Sequence, residues 1–250
     1  MPYFSSESIN IAYEVYGEGA PVVLVHGFAS NGHVNWVATG WVEALVKAGY
    51  QAITIDNRGH GASEKLYDSA LYPARKMAVD VINLIDHLGV QRAALMGYSM
   101  GARISAFAVL SAPERLCCAV FGGLGINMVH GLSDSSDIVS ALLAPTLGEV
   151  THKTGRQFRI FAEHTQSDLK ALAACMASSR DPIGKEDIAK ISMPVLVAVG
   201  SEDAVGGRPE PLAGLMPNGD ALVIEGRDHM RSTGDPQFKA GVLDFFSRVY

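Results

Sequence analysis

The strongest constraint on the fold is a series of short segments made almost entirely of apolar residues. Strands of a parallel sheet are covered on both faces, so they lack the alternation of apolar and polar side chains that half-exposed strands show. The series therefore predicts a parallel sheet buried between helices. Its members are residues 21–27, 51–56, 92–97, 117–123 and 194–200, with residues 221–226 as a weaker sixth.

Two further patterns define the fold class. Residues 8–17 alternate apolar and polar side chains, which predicts a half-exposed antiparallel strand with a short partner near Tyr3. Helical patterns lie between the apolar segments, and strands that alternate with helices indicate an α/β doubly wound sheet. The predicted helices are residues 41–48, 72–88, 100–110 and 236–249.

The alternation stops between residues 126 and 190. This stretch is polar, its patterns are helical, and it contains no segment typical of a buried strand. We therefore predict a core formed by residues 1–125 and 191–250, with a small helical cap, or lid, inserted at 126–190.

Composition excludes several classes of function. The chain has 250 residues, 48% of them apolar and 18% charged, which is typical of a globular protein. A net charge of −6 disfavours a nucleic-acid partner, and neither a signal peptide nor a membrane-spanning segment is indicated. We expect a cytoplasmic protein with no membrane partner. Cys117, Cys118 and Cys175 lack the spacing of metal ligands and are interpreted as small buried apolar residues, so no metal is expected.

Ser99 lies in the segment GYSMG (residues 97–101), between an apolar segment and a helical one. A sharp strand-to-helix turn would hold this serine in a strained backbone conformation, and glycine at positions 97 and 101 would avoid steric clashes. The helix N-terminus would supply unpaired N–H groups to a developing oxyanion. Two interpretations follow from the residues: a nucleophile, or a serine that caps the helix in a glycine-rich turn.

A nucleophilic serine needs a base and an acid that orients the base. Among the histidines after Ser99, only His229 follows a strand-like segment. The other three, His130, His152 and His164, lie in the polar stretch between residues 126 and 190. His229 is thus the candidate base, with an ordinary histidine of a surface loop as the alternative.

Five motifs occur in the order and at the spacing of the α/β-hydrolase fold family, which the chain resembles over nearly its whole length. The motifs are VVLVHGFAS, AITIDNRGHGAS, LMGYSMGARIS, VLVAVGSED and GRDH. The resemblance implies a mostly parallel eight-stranded sheet flanked by helices. It is highly specific for the fold and much less so for the substrate.

The resemblance also implies a catalytic triad. The family order of nucleophile, acid and base corresponds to Ser99, Asp203 and His229 in this chain. Asp203 is selected by its spacing from Gly200, and its alternative role is that of a turn-forming aspartate. Asp228 is the rival acid, but a residue adjacent to His229 is poorly placed to orient the imidazole.

Backbone groups complete the implied site. The N–H groups of Phe28 and Met100 are the expected oxyanion hole, because one follows the HG of the HGFAS loop and the other follows the nucleophile. His26 is interpreted as a structural residue. Asp56 and Arg58, in the family's turn after the fourth strand, are expected to hold that loop near the active site.

The expected reaction is hydrolysis of a small or medium carboxylic ester through an acyl-enzyme, without a cofactor. Cleavage of a C–C bond, a thioester or an amide, and perhydrolysis, are alternatives at the same site. A ligand-binding receptor that retains the triad is the alternative outside enzymes. The haloalkane dehalogenases and epoxide hydrolases of this fold use an aspartate nucleophile. This chain has Ser99 at that position, so the resemblance excludes these two activities. The candidate pocket residues for this small-molecule acyl substrate are Phe28, Tyr98, Met128, Phe158, Phe161 and Met176.

Overall fold

Eight strands form one sheet at the centre of the protein, whose computed structural model describes residues 1–131 and 135–250. The strands are β1 (Tyr3–Ser6), β2 (Ile9–Tyr16), β3 (Ala20–Val25), β4 (Tyr50–Ile55), β5 (Ala93–Tyr98), β6 (Leu116–Gly122), β7 (Val195–Gly200) and β8 (Gly219–Ile224). Their order across the sheet is β1-β2-β4-β3-β5-β6-β7-β8. The pairs β1–β2 and β2–β4 are antiparallel and all others are parallel, which confirms the predicted mostly parallel sheet.

Helices cover both faces of the sheet. The helices on the sheet are α1 (Trp41–Lys47), α2 (Ala74–His87), α3 (Met100–Ser111), α9 (Pro209–Ala213) and α10 (Pro236–Val249). Between β6 and β7 lie α4 (Asn127–His130), α5 (Ser136–Leu143), α6 (Lys153–His164), α7 (Leu169–Met176) and α8 (Lys185–Ile188). Alternate residues of β3 point to opposite faces: Val23 and Val25 join the core with α2 and α3, while Val22 and Leu24 join the core with α1 and α10. Burial on both faces explains why β3 is apolar throughout.

The segment between β6 and β7 is helical where it is described, and residues 132–134 of the predicted cap lie outside the described residues. This segment contacts the loop that follows β3 at the carboxyl edge of the sheet. The Thr165 hydroxyl donates to the carbonyl oxygen of Ala29 at 2.9 Å, and the Phe158 ring lies edge-on to Phe28 at 5.8 Å between centroids. None of the described helices is long and apolar enough to cross a membrane.

A buried ion pair holds the loop that follows β4. The Arg58 guanidinium donates to both carboxylate oxygens of Asp80 on α2, at 2.8 and 2.7 Å, and to the carbonyl oxygen of Leu71. Both charged side chains are almost completely buried. Asp56 accepts from the backbone N–H groups of Gly32 and Ala62, so it joins this loop to the loop after β3.

Two buried histidines lie where these loops meet, with their rings 5.3 Å apart. The His26 Nδ1 lies 2.7 Å from the carbonyl oxygen of Gly27, and its Nε2 accepts from the backbone N–H of Asn57. The His60 Nδ1 lies 3.0 Å from the carbonyl oxygen of Arg58. Burial lowers the pKa of His26 to about 4 and that of His60 to about 3, so both rings are neutral near pH 7.

This pair makes stability depend on pH. Unfolded histidine titrates near pH 6.5, so between pH 6.5 and about 4 the unfolded chain binds more protons than the folded protein. The free energy of unfolding is therefore expected to fall as the pH falls in this range, by about 2 kcal/mol per pH unit for the pair. Urea unfolding at pH 7.5, 6.5, 5.5 and 5.0 measures this slope.

Variants separate these histidines from other acid effects. His60→Asn, which retains a donor near the carbonyl oxygen of Arg58, is expected to reduce the slope by about half, while exposed His164→Asn retains it. A slope that is unchanged by His60→Asn would contradict the assignment to the buried pair.

Candidate active site

Ser99 occupies a strained turn between β5 and α3. Its backbone has φ of 55° and ψ of −111°, a conformation that residues with a side chain rarely adopt. The flanking glycines make the turn sterically possible. A Cβ atom on Gly97 would lie 2.2 Å from the carbonyl oxygen of Gly101, and one on Gly101 would lie 2.0 Å from that of Val25. The predicted reason for glycine at both positions is thus present in the structure.

The strain at position 99 has a measurable consequence. Glycine adopts positive φ without the steric cost that a Cβ atom brings, so Ser99→Gly is expected to unfold with a free energy about 1 kcal/mol higher than Ser99→Ala. Because neither variant retains the hydroxyl group, the comparison isolates the backbone contribution. Denaturant unfolding at pH 7.5 measures the difference, and equal stabilities would show that the turn carries no net strain.

A chain of two hydrogen bonds joins the three polar side chains that the motifs single out. The His229 Nε2 lies 3.0 Å from the Ser99 Oγ, and the His229 Nδ1 lies 2.7 Å from the Asp203 Oδ2. Asp203 is fully buried and the His229 side chain is 17% exposed. This geometry allows His229 to accept a proton from Ser99 while Asp203 orients the ring.

Asp203 is held in place by the loop that follows β7. Its second carboxylate oxygen accepts from the backbone N–H groups of Val205 and Gly206, both at 2.8 Å. The rival acid Asp228 instead accepts from the backbone N–H groups of Met230 and Arg231 within its own turn. The structure therefore brings Asp203, and not Asp228, to the His229 ring.

Tyr98 supports His229 from the other side. Its hydroxyl group donates to the carbonyl oxygen of His229, and the two rings lie 5.5 Å apart. Since Tyr98 immediately precedes Ser99, the end of β5 positions both the serine and the backbone of the histidine. From the sequence Tyr98 was a candidate pocket residue, and a contact with His229 was not predicted.

Two backbone N–H groups beside Ser99 have no hydrogen-bond acceptor among the described residues. They belong to Phe28 and Met100, the predicted oxyanion-hole donors. A hydrogen bond holds the loop that contains Phe28: the N–H of Gly27 donates to the Asn35 side chain at 3.0 Å. Unpaired donors next to a nucleophile suit an oxygen that gains negative charge.

A pocket opens at Ser99 between the sheet and the helical segment. Its cavity is narrow, with a volume of about 30 Å³. Its polar wall contains Arg103, Ser179 and Arg180 beside Ser99. Its apolar wall consists of Phe28, Met100, Leu124, Phe158, Met176 and Val205.

The predicted pocket residues divide into two groups. Phe28, Phe158 and Met176 line the pocket. Tyr98, Met128 and Phe161 are not among its lining residues: Tyr98 contacts His229, Met128 is fully buried in the core, and Phe161 packs against that core. An apolar side chain in the helical segment can serve either packing or lining, and sequence alone does not separate these roles.

The polar wall was missed by sequence reasoning. Arg103 had a usable signal, because it follows Ser99 by four residues in a helix and residues at that spacing share a face. Ser179 and Arg180 follow α7 and had no such signal, since only the fold brings them near Ser99.

No cluster of three or more His, Cys, Asp or Glu side chains that could hold a metal ion occurs within residues 1–131 and 135–250. The cysteine thiols are also poorly suited to binding metal as thiolates. Burial raises the pKa of Cys118 and that of Cys175 to about 12, so both remain protonated near pH 7.

Comparisons with known proteins identify the fold. A sequence model of the alpha/beta hydrolase fold family matches residues 20–144. The non-heme chloroperoxidase CPO-A1 of Kitasatospora aureofaciens is 26% identical over 278 aligned positions, which cover 97% of this chain and 98% of that protein. Several other curated relatives are aligned over only 28% to 41% of their own length.

Solved structures match over almost the whole chain. A bromoperoxidase from Bacillus anthracis matches with a TM-score of 0.81 and 25% identity, covering 98% of this chain and 99% of that one. An esterase from Exiguobacterium antarcticum has the same TM-score at 19% identity, covering 98% of both chains. The similarity to the esterase shows the fold alone.

Proposed function

Since this chain belongs to the alpha/beta hydrolase family and is an enzyme, we propose that it is a serine hydrolase of small or medium carboxylic esters. In this proposal Ser99 is the nucleophile, His229 the general base and Asp203 the residue that orients the base. The observation that carries the proposal is the chain of hydrogen bonds from Ser99 through His229 to Asp203, beside two unpaired N–H groups.

Acylation begins when the Ser99 Oγ attacks the ester carbonyl carbon. The His229 Nε2 accepts the hydroxyl proton and then donates it to the departing alkoxide, which leaves as an alcohol. The N–H groups of Phe28 and Met100 bind the oxyanion of the tetrahedral intermediate. Asp203 accepts a hydrogen bond from the His229 Nδ1–H and stabilises the charged imidazolium.

Deacylation repeats these steps with water. The His229 Nε2 removes a proton from a water molecule, which attacks the acyl-enzyme and releases the carboxylic acid. His229 then returns the proton to the Ser99 Oγ. In our proposal residues 126–190 form a cap over a core of residues 1–125 and 191–250, and the cap limits the size of the acyl group.

A panel of p-nitrophenyl esters from acetate to decanoate tests the proposal. We expect rapid turnover of the short esters and a decline with chain length. A fluorophosphonate reagent, which labels activated serines, is expected to label the wild-type protein and not Ser99→Ala. Absence of both turnover and labelling in folded protein would reject the serine-hydrolase assignment.

Perhydrolysis is the second candidate, because the chloroperoxidase matched over the full chain is named for halide oxidation. Ser99 would first be acylated by a carboxylic acid such as acetic acid, whose hydroxyl group leaves as water. Hydrogen peroxide then replaces water in deacylation: its oxygen attacks the acyl-enzyme, His229 accepts its proton, and a peroxy acid leaves. The peroxy acid then oxidises bromide to hypobromite and returns to the carboxylic acid.

Bromination of monochlorodimedone by bromide and peroxide, in acetate and in phosphate buffer, tests this second activity. Product formation that requires acetate and is lost in Ser99→Ala would support it. Bromination that is equal in both buffers, or equal in Ser99→Ala, would exclude a peroxy acid formed at Ser99.

A further inference from the structure

Two arginine side chains line the pocket at Ser99, although the proposed chemistry uses neither. Arg103 lies one turn along α3 from the nucleophile, and Arg180 follows α7. Lys and Arg are rarely buried without a partner of opposite charge, because removal of a charge from water is costly.

Arg103 is bound to backbone carbonyls. Its Nη1 donates to the carbonyl oxygens of Met128 and Asp181, at 3.0 and 2.6 Å, and its Nη2 donates to that of Asn127 at 3.3 Å. The side chain is 1% exposed and forms no ion pair within the described part of the chain. Carbonyl oxygens satisfy its N–H groups but do not neutralise its charge.

Arg180 has neither kind of partner. The half-buried guanidinium makes no hydrogen bond and no ion pair to any described residue. Burial lowers the pKa of Arg180 and, to about 10, that of Arg103, whose pKa the neighbouring Arg180 charge lowers further. A guanidinium is basic enough to stay protonated near pH 7, so both groups are cationic there, and they are close enough for the Arg180 charge to act on Arg103.

The acidic groups nearby do not neutralise this pair. Asp181 contributes its backbone to Arg103 and its charge raises the Arg103 pKa, but its half-exposed carboxylate forms its ion pair with Arg75 on α2, at 3.3 Å. Asp203 is hydrogen-bonded to His229 and to two backbone N–H groups. Cys175, which adjoins Arg180, is a protonated thiol. The wall of the pocket therefore carries two positive charges with no acidic partner among the described residues.

We propose that the substrate is an ester whose acyl group carries a carboxylate, bound by Arg180 beside Arg103. A guanidinium can bind a carboxylate through two parallel N–H groups, and desolvation inside a pocket strengthens the pair. The inference rests on the proposed serine-hydrolase function and names its substrate class: half-esters of dicarboxylic acids.

The carboxylate belongs to the acyl part because of the geometry around Ser99. The leaving oxygen must face His229, which donates a proton to it. His229 does not line the pocket, whereas Ser99 and both proposed oxyanion donors do. The acyl chain therefore extends into the pocket towards the arginines, and the alcohol leaves on the histidine side.

Monoethyl glutarate and ethyl valerate test the inference, because they have equal acyl chain lengths and the same leaving group. We expect kcat/KM for monoethyl glutarate to exceed that for ethyl valerate by at least tenfold. Arg180→Gln is expected to reduce this ratio about tenfold or more, mainly through KM for the anionic ester. Exposed Arg248→Gln changes the net charge equally and is expected to keep the wild-type ratio.

The outcomes separate the two proposals. Equal rates for the two esters, or a ratio unchanged by Arg180→Gln, would overturn the carboxylate site and leave the esterase proposal standing. If the enzyme hydrolyses neither ester, the esterase proposal fails. Ligand binding, measured as a Tm shift, then tests the carboxylate site on its own. Monoethyl glutarate is expected to raise the Tm of Ser99→Ala more than the neutral ethyl valerate does and to lose this effect in Ser99→Ala/Arg180→Gln. Equal Tm shifts would refute the site.

Discussion

Ser99→Ala is expected to lower kcat for short p-nitrophenyl esters by about 10⁴- to 10⁶-fold, the range found when a serine nucleophile is removed. The physical reason is the loss of the acyl-enzyme path, because alanine offers no oxygen at the point that His229 faces at 3.0 Å. Stopped-flow and steady-state kinetics at pH 7.5 measure the loss. The fold is expected to persist, since the side chain becomes smaller at an unchanged backbone.

Two further variants control for the roles of the neighbouring residues. His229→Ala is expected to lose about as much activity as Ser99→Ala, and Asp203→Asn is expected to lose about 10⁴-fold. The three residues are proposed to act as a unit, so the effects of replacing them do not add. The double variant Ser99→Ala/His229→Ala is then expected to be no slower than either single variant. Full activity of Asp203→Asn would contradict the assignment of the acid, and turnover by Ser99→Ala would point to another nucleophile.

Asp80→Asn is expected to cost about 3 kcal/mol of unfolding free energy, because it removes the buried carboxylate of Arg58 and leaves only the longer, 3.4 Å contact with exposed Glu7. For a chain of this size the Tm would fall by roughly 6 to 12 °C. Urea unfolding and calorimetry at pH 7.5 measure both values. Asp244→Asn, which removes one of the two acidic partners of exposed Arg248, is the control and is expected to cost less than about 1 kcal/mol.

A double replacement tests the physical reason for this loss. Arg58→Met with Asp80→Leu removes both charges and is expected to be less destabilised than Asp80→Asn alone, since no unpaired ion remains buried. If the double variant is the less stable of the two, the hydrogen bonds of the pair, and not the stranded charge, dominate its contribution.

Local sequence patterns were sufficient to predict most of the fold. The apolar segments became β3 to β8, and the predicted helix 236–249 coincides with α10 because Asp235 caps it and Pro236 begins it. The π-helical turn His33–Val37 was not predicted, since its residues show no helical periodicity. Helix α9 was also missed, because five residues that include two prolines resemble a loop.

The part of the candidate site whose residues directly follow strands was predictable. Ser99, Asp203 and His229 each follow a strand, and the resemblance to the family's order and spacing selected them. The structure brings their side chains together, while their catalytic roles remain predictions. The charged wall of the pocket was not predictable. Arg180 is distant from Ser99 in sequence, and an arginine after a helix is usually solvated.

Arg103 joins two distant parts of the chain to α3. One guanidinium holds the carbonyl oxygens of Asn127 and Met128, which follow β6, and that of Asp181, which follows α7. The helix that begins directly after Ser99 therefore also fixes the backbone beside Arg180. A replacement of Arg103 would thus displace one wall of the pocket without touching the turn that holds Ser99.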